Sequence, residues 1–380
     1  MKIVLATPLY PPETELLASY TKELSLRLAR EHEVTILAYA TNSESVPTAK
    51  LLTISKRQRL PVRLLKYTFA LWNIAPGQDI IYAQNAVAAG LPALLVSILR
   101  NIPLVINFDE DEAWKSATQL CETDKYLEDF LASEDMSPRI KLVHALQGLV
   151  MRHATMVLVQ SEALSQIVTT HYRVPRAKLS VNHHVARKSE LLPFPSPVVP
   201  FQLACGGKLI KENGIEGIVR ATAILKQKFP AVSLLISGYG SEESALKSLT
   251  KELGIEEQVQ FLGRVSHAES WHVAKSSVAY IHNPNKGFTP DHLLLGFSVG
   301  TPVVASRIPA NTEVVKDGES ALLVGENDPR DLTNAIERIF TDNELRDKLT
   351  KGGSMLLRER FSWDSHIGAL LRTFTAVMTK

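Results

Sequence analysis

Short apolar runs alternate with stretches of helical periodicity along the chain. Near the N-terminus, Lys2–Thr7 is an apolar run that ends at Pro8, which is typical of a buried strand. Residues 19–30 place apolar side chains on one helix face, and Glu33–Tyr39 is a second apolar run. A strand, a helix and a strand in this order predict a βαβ unit and therefore a parallel sheet.

The same alternation continues along the chain and predicts the α/β fold class. Further strands are predicted at residues 79–84, 103–108, 156–160, 178–181, 201–205, 232–237, 259–263, 278–282 and 303–305. Further helices are predicted at residues 86–99, 140–154, 217–229, 242–253, 271–275, 291–298, 328–340 and 344–361. The polar and acidic stretch 118–139 is predicted to be mobile or lid-like helical structure.

A proline-rich segment divides the chain into two parts. Four prolines between residues 193 and 200 disfavour both a helix and a central strand. The 380 residues are enough for two domains of ordinary size. We therefore predict domains at residues 1–192 and 201–362, joined by a linker at 193–200 and followed by a terminal helix at 363–380.

Composition restricts the class of protein. Hydrophobic residues make up 45% and charged residues 22% of the chain, as in globular proteins, and the net charge of +2 provides no overall field for nucleic acid. The two cysteines, Cys121 and Cys205, argue against a disulfide framework and fit a reducing compartment. The N-terminal apolar run is too short for a signal peptide, and the longest apolar stretches are shorter than a membrane span. A cytoplasmic protein is expected.

A basic segment precedes the third predicted strand. It contains Lys56, Arg57, Arg59, Arg63 and Lys66. Such a cluster can contact anionic lipid headgroups, which would place the protein at the periphery of the inner membrane face. It can equally be the solvated face of a helix, and the pattern leaves both interpretations open.

The stretch 283–313 has the form of a ligand-binding loop and helix. A turn rich in proline and glycine precedes the helical run 291–298, and Gly300-Thr301-Pro302 separates this helix from the strand at 303–305. The first N–H groups of a helix attract anions, and ligands of parallel sheets bind beyond the carboxyl ends of the strands. The stretch therefore suits a phosphate-bearing ligand, although a surface helix packed on a sheet would produce the same pattern.

Several motifs in this half of the chain resemble a known family. They are Gly207-Lys208 after the first strand, Gly238-Tyr239-Gly240 after the second, Phe261-Leu262-Gly263, Phe288, residues 300–306 (GTPVVAS), and Glu313 followed by Asp317-Gly318. Together they resemble the family 4 (group 1) glycosyltransferases. The resemblance implies the GT-B fold, in which two Rossmann-like parallel-sheet domains face a cleft and the terminal helix crosses back to the first domain.

The resemblance also implies a set of donor-binding residues. Lys208 is expected to bind the donor diphosphate as a point charge, with Lys211 as a second cation. The backbone of Val265 is expected to meet the nucleobase, and His292 is an available hydrogen-bond donor. The remaining donor-binding candidates are Gly207, Gly238, Gly240, Phe288, Thr289, Asn311 and Glu313. A tight strand-to-helix turn explains Gly238 and Gly240 equally well.

The chain departs from the family pattern at several of its functional positions. Leu295 stands at the second of the family's paired glutamates, and Gly287 or Lys286 stands at the first. Asn213 stands where the family has a lysine before glycine. Glu15 and Leu16 replace two glycines of the first loop, where a side chain crowds a phosphate and the charge of Glu15 repels it.

Four acids follow the strand at residues 103–108. Asp111, or alternatively Asp109, is the candidate catalytic residue, expected to orient the acceptor hydroxyl or to stabilise charge. A solvated acidic loop or a helix N-terminus would account for the same residues. His183 and His184 are adjacent and would point to opposite faces of a strand, so no metal site is expected. The resemblance implies a nucleotide-sugar substrate and no cofactor.

These observations favour an enzyme. The resemblance implies a retaining hexosyltransferase that moves a sugar from a nucleotide-sugar donor to a hydroxyl of a glycan or lipid-linked acceptor, in glycan or cell-surface polysaccharide synthesis. The departures favour the alternative of an inactive glycosyltransferase-like subunit that serves as a partner or scaffold. Homo- and hetero-oligomers both remain open. A Rossmann dehydrogenase is disfavoured because the first loop lacks Gly-x-Gly-x-x-Gly.

Overall fold

The computed structural model describes residues 1–13, 16–40, 49–123, 125–133, 135–186, 197–287 and 291–379. The chain forms two compact units. The N-terminal unit comprises residues 1–183 together with residues 366–380, and the C-terminal unit comprises residues 184–365. Each unit contains one parallel sheet with helices between its strands, which is the Rossmann-like arrangement expected from the sequence.

The N-terminal sheet has seven strands in the order β3-β2-β1-β4-β5-β6-β7, and every pair is parallel. The strands β1 to β7 are Lys2–Thr7, Glu33–Tyr39, Lys50–Ile54, Ile80–Ala83, Leu104–Phe108, Met156–Val159 and Leu179–Val181. The helices α1 to α7 are Leu16–Leu28, Leu60–Ile74, Gly90–Arg100, Glu112–Gln119, Leu127–Ala132, Pro138–His153 and Glu162–Tyr172. The central strands are fully buried because helices cover both faces of a parallel sheet.

The C-terminal sheet has six strands in the order β10-β9-β8-β11-β12-β13, again all parallel. The strands β8 to β13 are Val199–Gly206, Ser233–Ser237, Val259–Gly263, Ser277–His282, Val303–Ser306 and Leu322–Val324. The helices α8 to α14 are Ile215–Lys228, Glu243–Glu252, His267–Lys275, Asp291–Val299, Pro309–Thr312, Pro329–Thr341 and Asn343–Arg360.

The last helix, α15 (Trp363–Met378), belongs to the N-terminal unit from His366 onwards. In this helix, Nε2 of the His366 imidazole lies 2.7 Å from the hydroxyl of Tyr20, and Nδ1 of the same ring lies 2.9 Å from the carbonyl of His183. Further along, the ring of Phe374 packs edge-on against Tyr82, with 5.5 Å between ring centroids. Aromatic packing and hydrogen bonds thus join the end of the chain to the first sheet.

Three expectations about the elements need correction. The sequence pattern missed β3 and α2, which lie between residues 50 and 74. The stretch 118–139 is not a lid-like segment throughout, because α5 buries Leu127, Phe130 and Leu131. Strand β8 begins at Val199, so the predicted linker ends earlier than residue 200. Residues 193–196 of that linker lie outside the described residues.

Within the described residues, no helix combines the length and the hydropathy needed to cross a membrane.

Candidate functional site

The carboxyl ends of the C-terminal strands bring most of the predicted donor-binding residues to one edge of the sheet. Strands β8, β9 and β11 end at Gly206, Ser237 and His282, and β12 ends at Ser306. Because all of these strands are parallel, the loops that follow them lie at the same edge. Residues of these four loops and of the helices that follow them form the candidate site.

Two glycines allow the loops after β8 and β9 to pack backbone against backbone. Gly207 has a φ of +125° and donates its N–H to the carbonyl of Ser237 at 3.0 Å. Gly238 has a φ of +142°, and a Cβ at this position would lie 1.8 Å from the carbonyl oxygen of Gly207. A Cβ at Gly240 would similarly lie 2.3 Å from the carbonyl of Leu209. No side chain fits at Gly238 or Gly240, where the two loops come this close. Backbone packing therefore explains both glycines without a ligand.

The first turn of α11 lies against the same loop. A Cβ at Gly207 would lie 3.1 Å from Nε2 of His292, which places this exposed imidazole beside the glycine backbone. The ring of His282 lies 6.2 Å away, centroid to centroid. Burial, with a smaller contribution from His292, lowers the pKa of His282 to about 3, so His282 is neutral at physiological pH. The N-terminus of α11, which carries His292, thus lies beside the backbone of Gly207.

Lys208 is exposed at the tip of this loop. Its carbonyl accepts a hydrogen bond of 2.7 Å from the side-chain amide of Asn213. Asn213, which replaces a lysine of the family pattern, therefore fixes the backbone that carries Lys208. Lys211 is exposed as well and lines a separate groove of about 300 Å³ with Arg220, Glu216 and Glu242.

The side chain of Asn311 lies inside the fold. Asn311 is fully buried, and its amide nitrogen donates to the carbonyl of Ser306 at 2.8 Å. The hydroxyl of Ser306 in turn donates to the carbonyl of Pro284 at 2.5 Å. Asn311 therefore joins the loop after β12 to the loop after β11, and its amide does not reach the protein surface. Glu313 follows α12, is partly exposed, and accepts a hydrogen bond of 3.0 Å on its carbonyl from Arg360.

The remaining donor candidates, and the residue at a family glutamate position, lie in other parts of the C-terminal unit. Val265 is partly buried in the connection between β10 and α10. Phe288 and Thr289 lie outside the described residues. Leu295, at the place of a family glutamate, packs against the apolar cluster that contains Tyr280, Phe297 and Phe361. The leucine therefore contributes to helix packing at this position.

Sequence reasoning missed a pair of residues at the end of β9 and β10. The guanidinium of Arg264 lies 4.3 Å from the ring centroid of Tyr239 and donates a hydrogen bond to the hydroxyl of Tyr239. Tyr239 is 48% exposed. Arg264 follows directly after β10, and Tyr239 is separated from the end of β9 only by Gly238. Because these strands are neighbours, a position close to the strand ends was the signal that could have identified both residues.

In the N-terminal unit, the structure reverses the order of the two catalytic candidates. Asp111 is 1% exposed and caps α4 by accepting a hydrogen bond of 2.9 Å from the N–H of Trp114. Its Oδ2 accepts a bond of 3.0 Å from the amide of Gln147 and another from the hydroxyl of Tyr172. Burial raises the pKa of Asp111, although these hydrogen bonds oppose the shift. An acceptor substrate cannot contact a carboxylate enclosed in this way.

Asp109 occupies the more accessible place. It follows directly after β5 and is only partly buried. Burial is the main cause of the raised pKa of Tyr20, and the charge of Asp109 adds to it, which indicates that Asp109 lies near Tyr20. Of the two candidates, Asp109 is therefore the more exposed residue.

Within the ranges that the structure describes, no group of three or more His, Cys, Asp or Glu side chains is arranged to hold a metal ion. The adjacent His183 and His184 fall on opposite sides of the division between the two units.

Comparison with family models divides the chain in the same way. Residues 17–183 match the glycosyl transferase 4-like domain, and residues 195–354 match the glycosyl transferases group 1 family. Together the two matches cover most of the chain.

Curated relatives match part of the chain. The lipopolysaccharide core biosynthesis glycosyltransferase LpsD of Rhizobium meliloti is 30% identical over 185 residues, which are 49% of this chain and 52% of that protein. The phosphatidyl-myo-inositol mannosyltransferase of Mycobacterium leprae is 31% identical over 169 residues, 44% of each chain. The match thus spans about half the length of these relatives.

A solved structure matches the whole fold. The crystal structure of HepE from Anabaena in complex with UDP has a TM-score of 0.71 at 14% sequence identity, with 99% of this chain and all of that chain covered. The two family matches show that the chain belongs to the group 1 glycosyltransferases, and the two parallel sheets with this structural likeness show the GT-B fold.

Proposed function

We propose that this chain transfers a sugar from a nucleoside-diphosphate sugar to a hydroxyl acceptor, with retention of the anomeric configuration. The loop of Gly207 and Lys208 against the N-terminus of α11 is the observation that carries the proposal. The relatives support it, because LpsD is named for lipopolysaccharide core biosynthesis and HepE was solved with UDP and with UDP-glucose. A glycan or cell-surface polysaccharide is the proposed product, and the proposed location is the cytoplasm at the inner face of a membrane.

The donor diphosphate is proposed to lie at the loop after β8. Transfer breaks the bond between the sugar C1 and a phosphate oxygen, and the electron pair remains on the diphosphate. A new bond forms between C1 and the acceptor oxygen, and the proton of the acceptor hydroxyl passes to the departing diphosphate. Lys208, the first N–H groups of α11 and the imidazole of His292 would stabilise that charge. The backbone at Gly207 leaves room for the phosphate to approach, because no Cβ lies there.

The other donor groups are proposed to lie on the neighbouring loops. The backbone of Val265 would meet the nucleobase, next to Tyr239 and Arg264 at the ends of β9 and β10. The carboxylate of Glu313 would accept hydrogen bonds from hydroxyls of the donor. On the acceptor side, Asp109 would orient the attacking hydroxyl. The reaction is proposed to need no metal ion, because cations of the protein would balance the diphosphate.

A second candidate is an inactive subunit that binds a partner. The observation that favours it is the packing of Leu295 in the place of a family glutamate, since an apolar side chain cannot hydrogen-bond a sugar hydroxyl. Gly287 also lacks a carboxylate, at the position of the first of the two family glutamates.

Calorimetric titration with UDP and GDP tests the proposal. We expect one of the two to bind the wild-type protein and Lys208→Ala to weaken binding by roughly tenfold or more, which corresponds to about 1.4 kcal/mol. Lys351→Ala, which removes an exposed lysine of α14, is the matched control and should bind as the wild type does. If no nucleoside diphosphate binds, the enzyme proposal is refuted and the partner candidate is favoured.

A further inference from the structure

Large apolar side chains are exposed on two adjacent helices of the N-terminal unit. On α2, Leu65 and Phe69 are 71% and 67% exposed, and Leu60 and Val62 are exposed as well. On α3, the exposed apolar residues are Leu95, Ile98 and Leu99. The two helices pack against each other, and the guanidinium of Arg100 on α3 lies 3.6 Å from the ring centroid of Trp72 on α2. We call these seven apolar residues the α2–α3 face.

Val62, Leu65 and Phe69 do not lie on the core-facing side of α2, whereas Leu60, in the first turn, shares the side of Tyr67. Tyr67 and Leu71 bury the inner side of α2 against the sheet, as an amphipathic helix requires. Val62, Leu65 and Phe69 recur at helical spacing on the opposite side, where a surface helix ordinarily carries polar residues. A cluster of this kind on a protein surface marks an interaction site.

The chain around the α2–α3 face is strongly basic. Residues 49–104 contain seven Lys and Arg but a single acid, Asp79, whereas the whole chain has 42 Lys and Arg against 40 Asp and Glu. Arg59, Lys66 and Arg100 are exposed beside the apolar side chains. Some other cations of the segment are engaged within the unit, since Lys56 pairs with Glu13 at 2.7 Å.

A groove lies beside the face, between the edge strand β3 and α2. Its volume is about 720 Å³, which is the size of a small-ligand site. Leu52 and Ile54 of β3 and Phe69 of α2 form apolar parts of its wall, and Lys50 and Lys66 also line it. Apolar walls with lysines among them match a molecule that has an apolar chain and an anionic head.

We propose that the α2–α3 face docks on an anionic lipid bilayer. Leu65, Phe69 and the exposed residues of α3 enter the boundary between headgroups and acyl chains, while Lys66 and Arg100 contact lipid phosphates. Long basic side chains suit this position because their stems lie on apolar surface and their charges reach the headgroups. The inference rests on the proposed function, because it names the membrane as the surface where a lipid-linked acceptor is met.

The choice of a bilayer over a protein partner follows from charge. The mixture of aromatic and aliphatic side chains with many cations and one acid is complementary to a surface of uniform negative charge. A second copy of this chain would place the same cations opposite one another, which is unfavourable.

Vesicle flotation tests the proposal. Full-length protein is mixed with phosphatidylcholine vesicles, or with vesicles that also contain about a third phosphatidylglycerol, and the bound fraction is measured. We expect binding to the anionic vesicles only. Lys66→Glu should lower the partition coefficient by at least about fivefold, as expected from the loss of one cation near an anionic surface. Phe69→Ser with Leu65→Ser should lower it roughly tenfold or more.

Two exposed residues of the C-terminal unit supply matched controls. Met355→Ser removes an exposed apolar side chain, and Lys316→Glu reverses an exposed charge. Both should bind anionic vesicles as the wild type does. Circular dichroism and thermal unfolding of every variant show that the fold is retained, which we expect because Phe69, Leu65 and Lys66 are exposed.

Three results would overturn the inference. They are equal binding to neutral and anionic vesicles, unchanged binding of the Phe69→Ser and Leu65→Ser variant, and a wild-type dimer that this variant dissociates without a change in vesicle binding. UDP and GDP titrations of the same proteins separate the two proposals. Nucleotide binding without vesicle binding refutes only the membrane inference, and vesicle binding without nucleotide binding refutes only the donor proposal.

Discussion

Replacing Asp111 with alanine is expected to destabilise the N-terminal unit by about 3 kcal/mol. Transfer activity should fall only in proportion to the fraction of the protein that is unfolded. The helix cap on Trp114 contributes about 1 kcal/mol. The buried donors of Gln147 and Tyr172 lose their carboxylate partner, which costs a further 1–3 kcal/mol or so. The substitution also removes a charge whose burial is unfavourable, as the raised pKa of Asp111 indicates, and this offsets a part of the cost.

The matched change at Asp109 should lower the transfer rate and leave the stability almost unchanged. Asp109→Ala removes a partly exposed carboxylate and should change the free energy of unfolding by less than about 0.5 kcal/mol. If Asp109 orients the acceptor hydroxyl, its removal should lower the transfer rate by roughly 100-fold. Asp111→Asn keeps an oxygen for the helix cap and should lose less stability than Asp111→Ala.

Urea unfolding, followed by circular dichroism, and a transfer assay with the nucleotide sugar found by titration measure both effects. For a unit of this size, 3 kcal/mol moves the unfolding midpoint by about 1.5 M urea. An Asp111→Ala protein with wild-type stability and no transfer would refute the structural role of Asp111. An Asp109→Ala protein with wild-type transfer would refute the proposed role of Asp109.

Three further predictions concern other residues and the metal requirement. Burial raises the pKa of Glu112 from 4.5 to about 7, so the stability that the protonated carboxyl contributes is complete below pH 4.5 and is lost as the pH rises to about 7. Glu112→Gln should remove this loss, up to about 3 kcal/mol, in urea unfolding at a series of pH values. Gly238→Ala should cost about 3 kcal/mol and abolish nucleotide binding in calorimetry, because its Cβ would lie 1.8 Å from the Gly207 carbonyl. Gly254→Ala, whose Cβ would meet nothing within 4 Å, should cost only about 1–2 kcal/mol. Transfer activity should be unchanged after EDTA treatment, and its loss would contradict the proposed metal independence.

The strands could be predicted because buried parallel strands are short apolar runs. Lys2–Thr7 and Val259–Gly263 were predicted with the bounds that the structure gives them. Strand β3 was missed because it is an edge strand with side chains half-exposed on both faces, which weakens the pattern. Helix α2 was missed because apolar residues occupy both of its faces, so that its sequence lacks clear helical periodicity.

Sequence could locate the acidic cluster but could not rank its carboxylates. Asp109 and Asp111 are two residues apart in a loop, where no fixed periodicity determines which side chain turns inward. Distant residues decide the outcome, because Gln147 and Tyr172 enclose Asp111 from helices α6 and α7. A similar connection fixes Asn311, because its partner Ser306 donates a hydrogen bond to the carbonyl of Pro284 in the loop after β11.

The departures from the family pattern affect parts of the site that are separate in space and in chemistry. Asn213 supports the backbone of Lys208, and Gly207 keeps its contact with the first turn of α11, so the groups proposed to bind the diphosphate do not depend on Leu295. Leu295 packs into an apolar cluster and offers no hydrogen bond to a sugar. We therefore expect that a leucine at this position weakens recognition of the sugar and leaves the proposed nucleotide binding intact. In a titration, the nucleoside diphosphate should then bind about as tightly as the nucleotide sugar. A sugar that does add affinity would require a polar group other than residue 295 to hold it.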